Sequence, residues 1–289
     1  MDDPSYTIGF SNATEKLSFA VSVRQSLEVA VARYPNLNLV VRNNEQDSER
    51  ALANAREFAD IPVDIALIYH IDERAGLGII QSLQQKRIPV ISVEVAIPLT
   101  TFFGIDNQEA GLQSGEALGK WVQANWKGHV DKIIILADYR LTGMVRQRLD
   151  YAVQQMLAVL GKQVETFPIH SGNIREIAAE NVLPVLKNWG DEVCIAIIGQ
   201  NDDTTLGAID AACALGIEEN VVGVGYGATE LALHELRTPG SRLVASVDMH
   251  PEQYGTPLLE VALCMLNGEK VPRENLIHPA CLMAENFRD

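Results

Sequence analysis

The amino-acid sequence predicts an α/β fold with two doubly wound parallel-sheet lobes joined by a multi-strand hinge. Short β-branched runs alternate with amphipathic segments from end to end, which is the pattern of successive βα units. The length of 289 residues exceeds the usual size of one domain and suggests about two. Because no Gly-, Pro- or Ser-rich linker divides the halves, we expect several short crossings to connect them, an arrangement suited to closure on a ligand.

Two sets of strands are predicted from the apolar, β-branched runs. The first set forms one sheet, at Tyr6–Ser11, Leu37–Val41, Ile65–Tyr69, Val90–Glu94 and Phe102–Ile105. The second set forms another, at Lys132–Ala137, Gln163–Phe167, Val193–Gly199, Val221–Gly225 and Leu243–Val247, with a last strand near Ile277–Ala284. Because these runs are nearly all apolar, we expect helices to cover both faces of each sheet.

Helices are predicted in the amphipathic segments between the strands. They fall at about residues 17–34, 47–59, 75–87, 107–126, 143–160, 174–188, 203–215, 228–237 and 252–267. Glycines follow several of these segments, as they do at helix C-termini, and Pro35, Pro62 and Pro89 lie between helices and strands. The predicted N-terminal lobe is 1–107 plus 249–276, and the C-terminal lobe is 108–248 plus 277–289.

The composition excludes several classes of protein. Lys and Arg number 23 against 38 Asp and Glu, and the resulting charge of −15 repels phosphate backbones, so we expect no nucleic-acid partner. No apolar run reaches the roughly 20 residues that a membrane helix needs. The N-terminal residues 1–4 lack the basic and apolar regions of a secretory leader, which fits either a cytosolic protein or a mature exported one.

Motifs for catalysis and for metal binding are missing from the sequence. It contains no phosphate-binding G-x-x-x-x-G-K-[ST] loop, no H-E-x-x-H and no G-x-S-x-G. The four cysteines lie in apolar stretches without zinc-ligand spacing, which predicts small buried side chains, and the six histidines show no ligand spacing. We therefore expect no enzyme, no catalytic residue, no metal and no cofactor.

Polar residues follow the predicted strands, where ligands collect in open α/β sheets. Asn201 follows an apolar strand, and its amide offers both donors and acceptors to hydroxyl groups. The same residue type is also a favoured helix N-cap, unless Asp202 or Asp203 provides that cap. Glu94 ends another apolar strand and needs a partner, while Asp248 ends a third and either binds ligand or caps the next helix. These positions predict a small polar ligand.

Four stretches carry a resemblance to a known family. They are Gly199–Ala208 (GQNDDTTLGA), Gly104–Gly111 (GIDNQEAG), Arg146–Arg148 and Val221–Tyr226. In order and spacing they resemble the type I periplasmic sugar-binding proteins. This ribose-binding-protein-like family shares its fold with lactose-repressor-type effector domains. The likeness spans nearly the whole chain and implies two lobes that close on a sugar.

In the first lobe the resemblance implies three ligand-binding residues. Phe19 stands where the family packs an aromatic ring on the sugar, although a core position on the first helix explains it nearly as well. Glu94 stands where the family often has an Asp that binds sugar hydroxyls. Glu15 and Lys16 belong to the loop after the first strand, and we expect one of them, Glu15, to reach the ligand.

In the second lobe the resemblance implies five more. Arg148 is expected to present its fork of donors to the ligand rather than to solvent, and Asn201 matches a sugar-binding Asn. Asn173 lies roughly where the family places an aromatic residue, with capping of the next helix as its rival. Tyr226 is expected to compensate, with Glu94, for an acid that this chain lacks, and Asp248 lies near a hinge crossing.

Three departures from the family pattern bear on the ligand. Gly227 stands where many sugar binders carry an acidic residue, Val95 where the ribose binder has a second Arg, and Ala20 where it has a second Phe. These departures predict a ligand other than ribose.

The resemblance implies a monomeric solute-binding protein of an ABC-type sugar uptake system. Such a protein binds a small carbohydrate or polyol between its lobes in the periplasm and docks on a membrane permease. The alternative is the ligand-sensing effector domain of a lactose-repressor-type transcriptional regulator, which would be cytoplasmic. A receptor for a chemosensor or sensor kinase uses the same fold. The sequence leaves the identity of the ligand open.

Overall fold

The structure is a computed structural model that describes residues 5–140 and 143–287. The stretch 1–4, on which the leader prediction rests, lies outside the described residues, as do residues 288–289 of the predicted C-terminal lobe. The helices are α1 Ser18–Val31, α2 Ser48–Asp60, α3 Glu73–Gln84, α4 Asn107–Trp126, α5 Gly143–Leu160, α6 Arg175–Trp189, α7 Asp202–Cys213, α8 Glu230–Arg237 and α9 Gly255–Leu266. The strands are β1 Tyr6–Asn12, β2 Leu37–Asn43, β3 Ile65–Ile68, β4 Val90–Val93, β5 Thr101–Ile105, β6 Lys132–Ala137, β7 Glu165–His170, β8 Ile195–Gly199, β9 Val221–Tyr226, β10 Leu243–Asp248, β11 Glu274–Ile277 and β12 Ala280–Met283.

The described chain divides into two compact units. The first unit contains residues 5–105 and 250–277, and its six-stranded sheet has the order β11-β5-β4-β3-β1-β2 with every pair parallel. The second unit contains residues 106–249 and 278–287, and its sheet has the order β12-β10-β9-β8-β6-β7. These pairs are parallel except that β12 runs antiparallel to β10. The predicted fold class is confirmed.

The end of the chain differs from the prediction. One strand was expected near Ile277–Ala284, whereas the structure has β11 in the first sheet and β12 in the second. Pro279 lies between the two strands, and a proline has no N–H with which to continue a ladder. The apolar stretch in the sequence corresponds to β12, whereas β11 begins with the polar residues Glu274 and Asn275 and was missed.

The ends of two other strands follow from local geometry. The strand predicted at Gln163–Phe167 runs instead from Glu165 to His170, because β7 pairs in register with β6 from Lys132 to Ala137. The strand predicted at Val90–Glu94 ends at Val93, because Glu94 has a φ of 63° and leaves the extended conformation. Both differences change the residue at which a strand ends, at the carboxyl edge of its sheet.

Burial follows the predicted layering. The central strands β3, β4, β8 and β9 are buried along their whole lengths, as expected for parallel strands covered on both faces. Helices α4 and α5 approach closely at Gly115, where an added Cβ would lie 2.2 Å from the carbonyl oxygen of Ala152. Within the described residues, every helix falls short of the combined length and apolar character that a membrane crossing demands.

Candidate functional site

The two sheets share one topological feature that positions polar side chains. In the first unit the chain goes from β1 outward to β2 and returns to β3 on the other side of β1; in the second it does the same around β6, with β7 and β8. Ligands bind outside the carboxyl ends of strands at such reversals. Asn12 ends β1 in the first unit, and Asp138 and Gln200 follow β6 and β8 in the second.

Glu94 is a buried carboxylate in the first unit. It is 3% exposed, and its Oε1 accepts hydrogen bonds from the Tyr254 hydroxyl at 2.5 Å and from the backbone N–H of Ile105 at 3.1 Å. The predicted need for a partner is therefore met inside the unit, chiefly by Tyr254 from the segment before α9. A ligand role for Glu94 stays a prediction.

Phe19 belongs to an aromatic group around the same tyrosine. The Phe19 and Tyr254 rings are nearly perpendicular with centroids 5.8 Å apart, and the Tyr254 ring makes a similar contact with Phe103 at 5.4 Å. Phe19 itself is partly exposed near the start of α1, whereas Phe103 is 1% exposed. Phe19 thus contacts the aromatic core while remaining partly exposed, which suits an aromatic that packs on a ligand.

Glu15 lies on the surface of the first unit beside a buried amide. Its Oε1 accepts from Asn12 Nδ2 at 2.8 Å, and its carboxylate pairs with Arg24 at 3.0 Å. The Oδ1 atom of Asn12 is buried and has no hydrogen-bond partner among the described residues. Asn12 is therefore a candidate that the sequence reasoning missed, and its position at the end of β1 was the available signal.

Arg148 is the most buried cation of the candidate site. It lies on α5 at 4% exposure, and its Nε donates to Asn107 Oδ1 at 2.6 Å. A guanidinium nitrogen also lies 3.4 Å from the carbonyl oxygen of Gln200, and the group sits 5.3 Å from the centroid of the Tyr226 ring. Arg146, by contrast, pairs with Asp150 on the helix surface. The two arginines therefore face different environments, as their spacing predicts.

Three amide side chains of the second unit bond to one another. Asn173 Oδ1 accepts from Gln200 Nε2 at 2.5 Å and from Asn201 Nδ2 at 2.6 Å. Asn201 also caps α7, because its Oδ1 accepts from the N–H of Thr204 at 2.9 Å. The cap is thus Asn201 itself, and the idea that Asp202 or Asp203 replaces it there is wrong. Capping leaves the ligand role of Asn201 as a prediction.

Asn173 does not take the capping role that was its rival interpretation. The N-cap of α6 is Ile174, which among the described contacts has no side-chain cap hydrogen bond. Asn173 instead adopts a left-handed φ of 62° at 6% exposure, which an Asn tolerates because its short side chain can bond locally. The side-chain oxygen Oδ1 of Asn173 therefore holds the side chains of Gln200 and Asn201 in fixed orientations.

Tyr226 ends β9 with its hydroxyl group buried. The hydroxyl lies 2.6 Å from Ser114 Oγ and donates to the carbonyl oxygen of Arg148 at 3.2 Å. Burial raises the pKa of this phenol above its ordinary value. The residue joins β9 to α4 and α5, and the suggestion that it compensates for a missing acid by contacting ligand stays a prediction.

Asp248 ends β10 at partial burial, directly opposite Ala280 of β12. The N-cap residue of the turn that follows is His250 and that of α9 is Tyr254, and the N–H of Gly255, the first residue of α9, donates to Ser26 Oγ at 2.9 Å. Asp248 is therefore not the N-cap residue of either element. Ligand contact stays a prediction.

Asp202 is a buried acid close to Gly227, the position where many sugar binders carry an acidic residue. Its Oδ1 accepts from Ser246 Oγ at 2.6 Å and its Oδ2 from the N–H of Thr229 at 2.9 Å. A Cβ added at Gly227 would lie 3.5 Å from that Oδ2. Burial raises the pKa of Asp202 to about 6, although both hydrogen bonds oppose the shift. This carboxyl group organises β10 and the start of α8.

Asn107 and Gln200 were part of the motifs that carry the family resemblance but were not predicted as site residues. They are 2% and 4% exposed; Asn107 accepts from Arg148, and Gln200 connects Arg148 to Asn173. The backbone N–H of Asp138 also donates to Gln200 Oε1, which ties the end of β6 to the end of β8. We call Arg148, Asn107, Gln200, Asn173 and Asn201 the amide–guanidinium array.

Two α/β units of one strand order, with polar arrays at strand ends, define a protein that binds a polar small molecule. Residues 8–270 match the family described as "Periplasmic binding protein domain". The chain belongs to this family.

Curated relatives resemble the chain over most of its length. The ribose import binding protein of Salmonella typhimurium is 27% identical over 272 residues, covering 92% of this chain and 86% of the relative. The ribose import binding protein of Bacillus subtilis is 24% identical over 276 residues, covering 93% of this chain and 84% of the relative. Both relatives are import binding proteins by name.

Solved structures show the same fold at lower identity. An ABC transporter solute-binding protein from Bacillus halodurans with bound myo-inositol has a TM-score of 0.82 and 21% identity, covering 99% of this chain and 98% of that one. A periplasmic solute-binding protein from Actinobacillus succinogenes with bound D-allose has a TM-score of 0.83 and 18% identity, covering 98% and 99%. The fold is therefore shared with solute-binding proteins.

Proposed function

We propose that this chain is the solute-binding component of an ABC-type uptake system and that it binds a small carbohydrate or polyol. The observation that carries the proposal is the amide–guanidinium array, which holds five buried or half-buried polar side chains in fixed orientations at the carboxyl ends of one sheet. Membership of the periplasmic binding protein domain family supports it.

The chemistry of the array suits a ligand with many hydroxyl groups. Each hydroxyl is both a donor and an acceptor, so its binding site must supply both kinds of group. Arg148 supplies donors in a rigid fork, and the amides of Asn201, Asn173 and Gln200 supply donors and acceptors that their mutual hydrogen bonds orient. Such preorganisation lowers the entropic cost of binding.

The first unit adds a different kind of contact to the proposal. The partly exposed ring of Phe19, backed by Tyr254, offers an apolar face of the type that packs against the C–H groups of a sugar or polyol. We propose that residues of both units bind one ligand molecule, with Glu94, Glu15 and Phe19 from the first unit. The proposal follows the sequence prediction and is tested by substitutions in each unit.

The ligand specificity is also part of the proposal. The relatives named above are ribose import binding proteins, whereas the solved structures hold myo-inositol and D-allose. Because Val95 and Ala20 are both buried and Gly227 lacks a carboxylate, we propose a ligand other than ribose, of the hexose or polyol class.

The proposed activity is binding and delivery without catalysis, in the periplasm, to a membrane permease. The family is one of periplasmic binding proteins, and its named relatives are import proteins. Binding of a ligand shifts a conformational equilibrium only by its differential affinity for the two states. In this proposal, contacts from both units give the ligand its differential affinity for one conformation, and the permease recognises that conformation.

A thermal-shift screen tests the proposal. Purified protein is heated with ribose, D-allose, glucose, fructose, myo-inositol, glycerol and sugar acids, each at saturating concentration. A ligand at 100 times its Kd stabilises the fold by roughly 2.7 kcal/mol, which raises the midpoint measurably. The Asn201→Ala variant serves as the matched control, and we expect it to lose the shift. A flat response across the panel would contradict the sugar proposal, and a largest shift with ribose would contradict the specificity proposal.

A further inference from the structure

We propose that His129, Asp131 and Cys194 of the second unit form a binding site for a zinc-class divalent metal ion. One ligand atom from each of these side chains lies within 4.8 Å of the others. The imidazole Nε2 of His129 lies 3.2 Å from Oδ2 of Asp131. The three residues bring together a nitrogen, an oxygen and a sulfur ligand.

The spacing of these atoms fits a shared metal ion. Zinc binds nitrogen and oxygen ligands at about 2.0–2.2 Å and sulfur at about 2.3 Å in a tetrahedron. Ligand atoms at those bond lengths lie roughly 3.3–3.6 Å from one another, by the geometry of a tetrahedron with these bonds. The nitrogen–oxygen pair, at 3.2 Å, is already close to that value, and the sulfur lies within 4.8 Å of both atoms.

The backbone holds two of the three residues on adjacent strands. Asp131 precedes β6 and Cys194 precedes β8, and these strands pair in parallel with Lys132 opposite Ile195. The backbone N–H of Asp131 donates to the carbonyl oxygen of Cys194 at 2.9 Å, and the N–H of Cys194 donates to Asp131 Oδ2 at 2.9 Å. The Asp131 carboxylate is therefore held against the backbone of Cys194 before any metal binds.

The third residue is positioned by the turn that ends α4. Lys127 and Gly128 have left-handed φ values of 53° and 79°, and the N–H of His129 donates to the carbonyl oxygen of Trp126 at 2.8 Å. This turn directs the chain back toward the start of β6. A site whose ligands stand on such rigid elements needs little rearrangement to bind.

The donor set selects the class of ion. A thiolate and an imidazole suit zinc, cobalt and similar borderline ions, whereas magnesium and calcium prefer all-oxygen sites. Three protein ligands leave a fourth coordination position for water or for a group from another molecule. His129 and Asp131 are exposed and Cys194 is partly exposed, so an ion can reach the site.

The proposal revises two expectations from the sequence. The cysteines were expected to be buried, whereas Cys213 is exposed and Cys194, Cys264 and Cys281 are partly exposed. Absence of a metal was expected because no short-range ligand spacing exists, but the pairing of β6 with β8 brings together residues that are far apart in the sequence. The site lies at the amino ends of these strands, whereas the amide–guanidinium array lies at their carboxyl ends. Metal binding and sugar binding are therefore separable.

Cobalt titration of tag-free, reduced protein tests the proposal. Co²⁺ replaces zinc and reports a thiolate ligand by a sulfur-to-cobalt charge-transfer absorption, and Zn²⁺ added afterwards should abolish that band. We expect one Co²⁺ per chain. Loss of a supporting partner typically costs 10–100-fold in metal affinity, so we expect loss of a direct ligand in Cys194→Ser or His129→Ala to weaken binding about 100-fold or more.

Two variants serve as matched controls. Cys213→Ser removes an exposed thiol elsewhere in the second unit, and His278→Ala disrupts a second group of potential ligands, Asp106, Glu109 and His278. Both should bind Co²⁺ as wild type does, and all variants should keep their circular dichroism and their sugar response. The proposal is overturned if wild type gives no charge-transfer band, if Cys194→Ser or His129→Ala binds unchanged, or if His278→Ala abolishes binding.

Discussion

The two units share a strand order but organise their polar residues differently. In the first unit the candidate residues form separate pairs, with Glu94 bonded to Tyr254 in the core and Glu15 bonded to Arg24 at the surface. In the second unit Arg148 bonds to Asn107 and is connected through Gln200 to the amides of Asn173 and Asn201. One backbone topology therefore supports two kinds of chemistry. The second unit provides directed hydrogen bonds, and the first provides an aromatic surface beside a carboxylate.

The largest expected effect of a substitution in the amide–guanidinium array is at Arg148. Arg148→Ala removes the donor to Asn107 and the contact to the Gln200 carbonyl, and we expect a loss of about 2–4 kcal/mol in the free energy of unfolding because buried acceptors lose their donor. Urea denaturation measures this loss, and titration with the best ligand should show binding about 100-fold weaker, as for a buried charged hydrogen bond.

The neighbouring Arg146→Ala is the control for that substitution. Arg146 is partly exposed and pairs with Asp150 on the helix surface, so we expect a change within about 0.5 kcal/mol and unchanged ligand affinity. If Arg148→Ala and Arg146→Ala behaved alike, the array would have no special role in the second unit.

The buried acid Asp202 gives the second unit a pH dependence. Its pKa in the folded protein is raised to about 6 from 3.8, so at a pH between these values the unfolded chain ionises the group and the folded chain does not. The contribution of the protonated group is present below pH 3.8 and is lost as pH rises through about 6. Asp202→Asn removes this pH-dependent contribution to the free energy of unfolding.

Comparison of wild type with Asp202→Asn isolates the contribution of the Asp202 carboxyl group to stability. Between about pH 4 and pH 7, we expect the free energy of unfolding of wild type to fall relative to the variant by on the order of 3 kcal/mol. Chemical denaturation of both proteins at a series of pH values measures the difference. A constant difference across this range would mean that the raised pKa has no effect on stability.

The two buried tyrosines provide a matched pair, one in each unit. Tyr254→Phe leaves the buried Glu94 carboxyl group without its hydroxyl donor, whereas Tyr226→Phe removes bonds to the neutral Ser114 hydroxyl and to the backbone carbonyl of Arg148. Loss of a donor to a buried carboxyl group costs about 1–3 kcal/mol, whereas the Ser114 hydroxyl keeps its bond to the carbonyl oxygen of Gly111, so we expect Tyr254→Phe to be the more destabilising. Differential denaturation of the two variants decides this, and the reverse order would contradict a stronger hydrogen bond at Glu94 than at Ser114.

A small effect on stability is also expected at Glu15. Its pair with Arg24 is partly exposed, and surface ion pairs contribute about 0.2–1 kcal/mol, so Glu15→Gln should unfold nearly as wild type does. Ligand titration is the more sensitive measurement here. A drop in affinity without a drop in stability would assign Glu15 to the ligand, and unchanged affinity would remove it from the proposed site.

Most of the fold was predictable because its signals are local. The β-branched runs and the helices between them, such as α4 and α5, are visible as hydrophobic periodicity, and they hold in the structure to within a few residues. The switch of sheets between β11 and β12 was missed because β11 is a short strand with the polar residues Glu274 and Asn275, and only β12 lies in an apolar stretch. Their assignment depends on pairing with β5 and β10, which are distant in sequence.

The candidate site was only partly predictable because hydrogen-bond partners are non-local. The strand-end positions of Asn201 and Glu94 were readable, but their bonds to Asn173 and Tyr254 join residues that lie far apart in the sequence. The sequence also gave no indication that Asn12 has a buried oxygen without a described partner. Partners of this kind are set by the packing of whole units.

Isothermal titration of three proteins with the carbohydrate or polyol that gives the largest thermal shift tests the central claim most directly. The proteins are wild type, Phe19→Ala in the first unit and Asn201→Ala in the second. We predict one ligand per wild-type chain and an affinity at least about tenfold lower in each variant, equivalent to about 1.4 kcal/mol of binding free energy. Wild-type affinity in either variant would contradict the claim that both units bind the ligand.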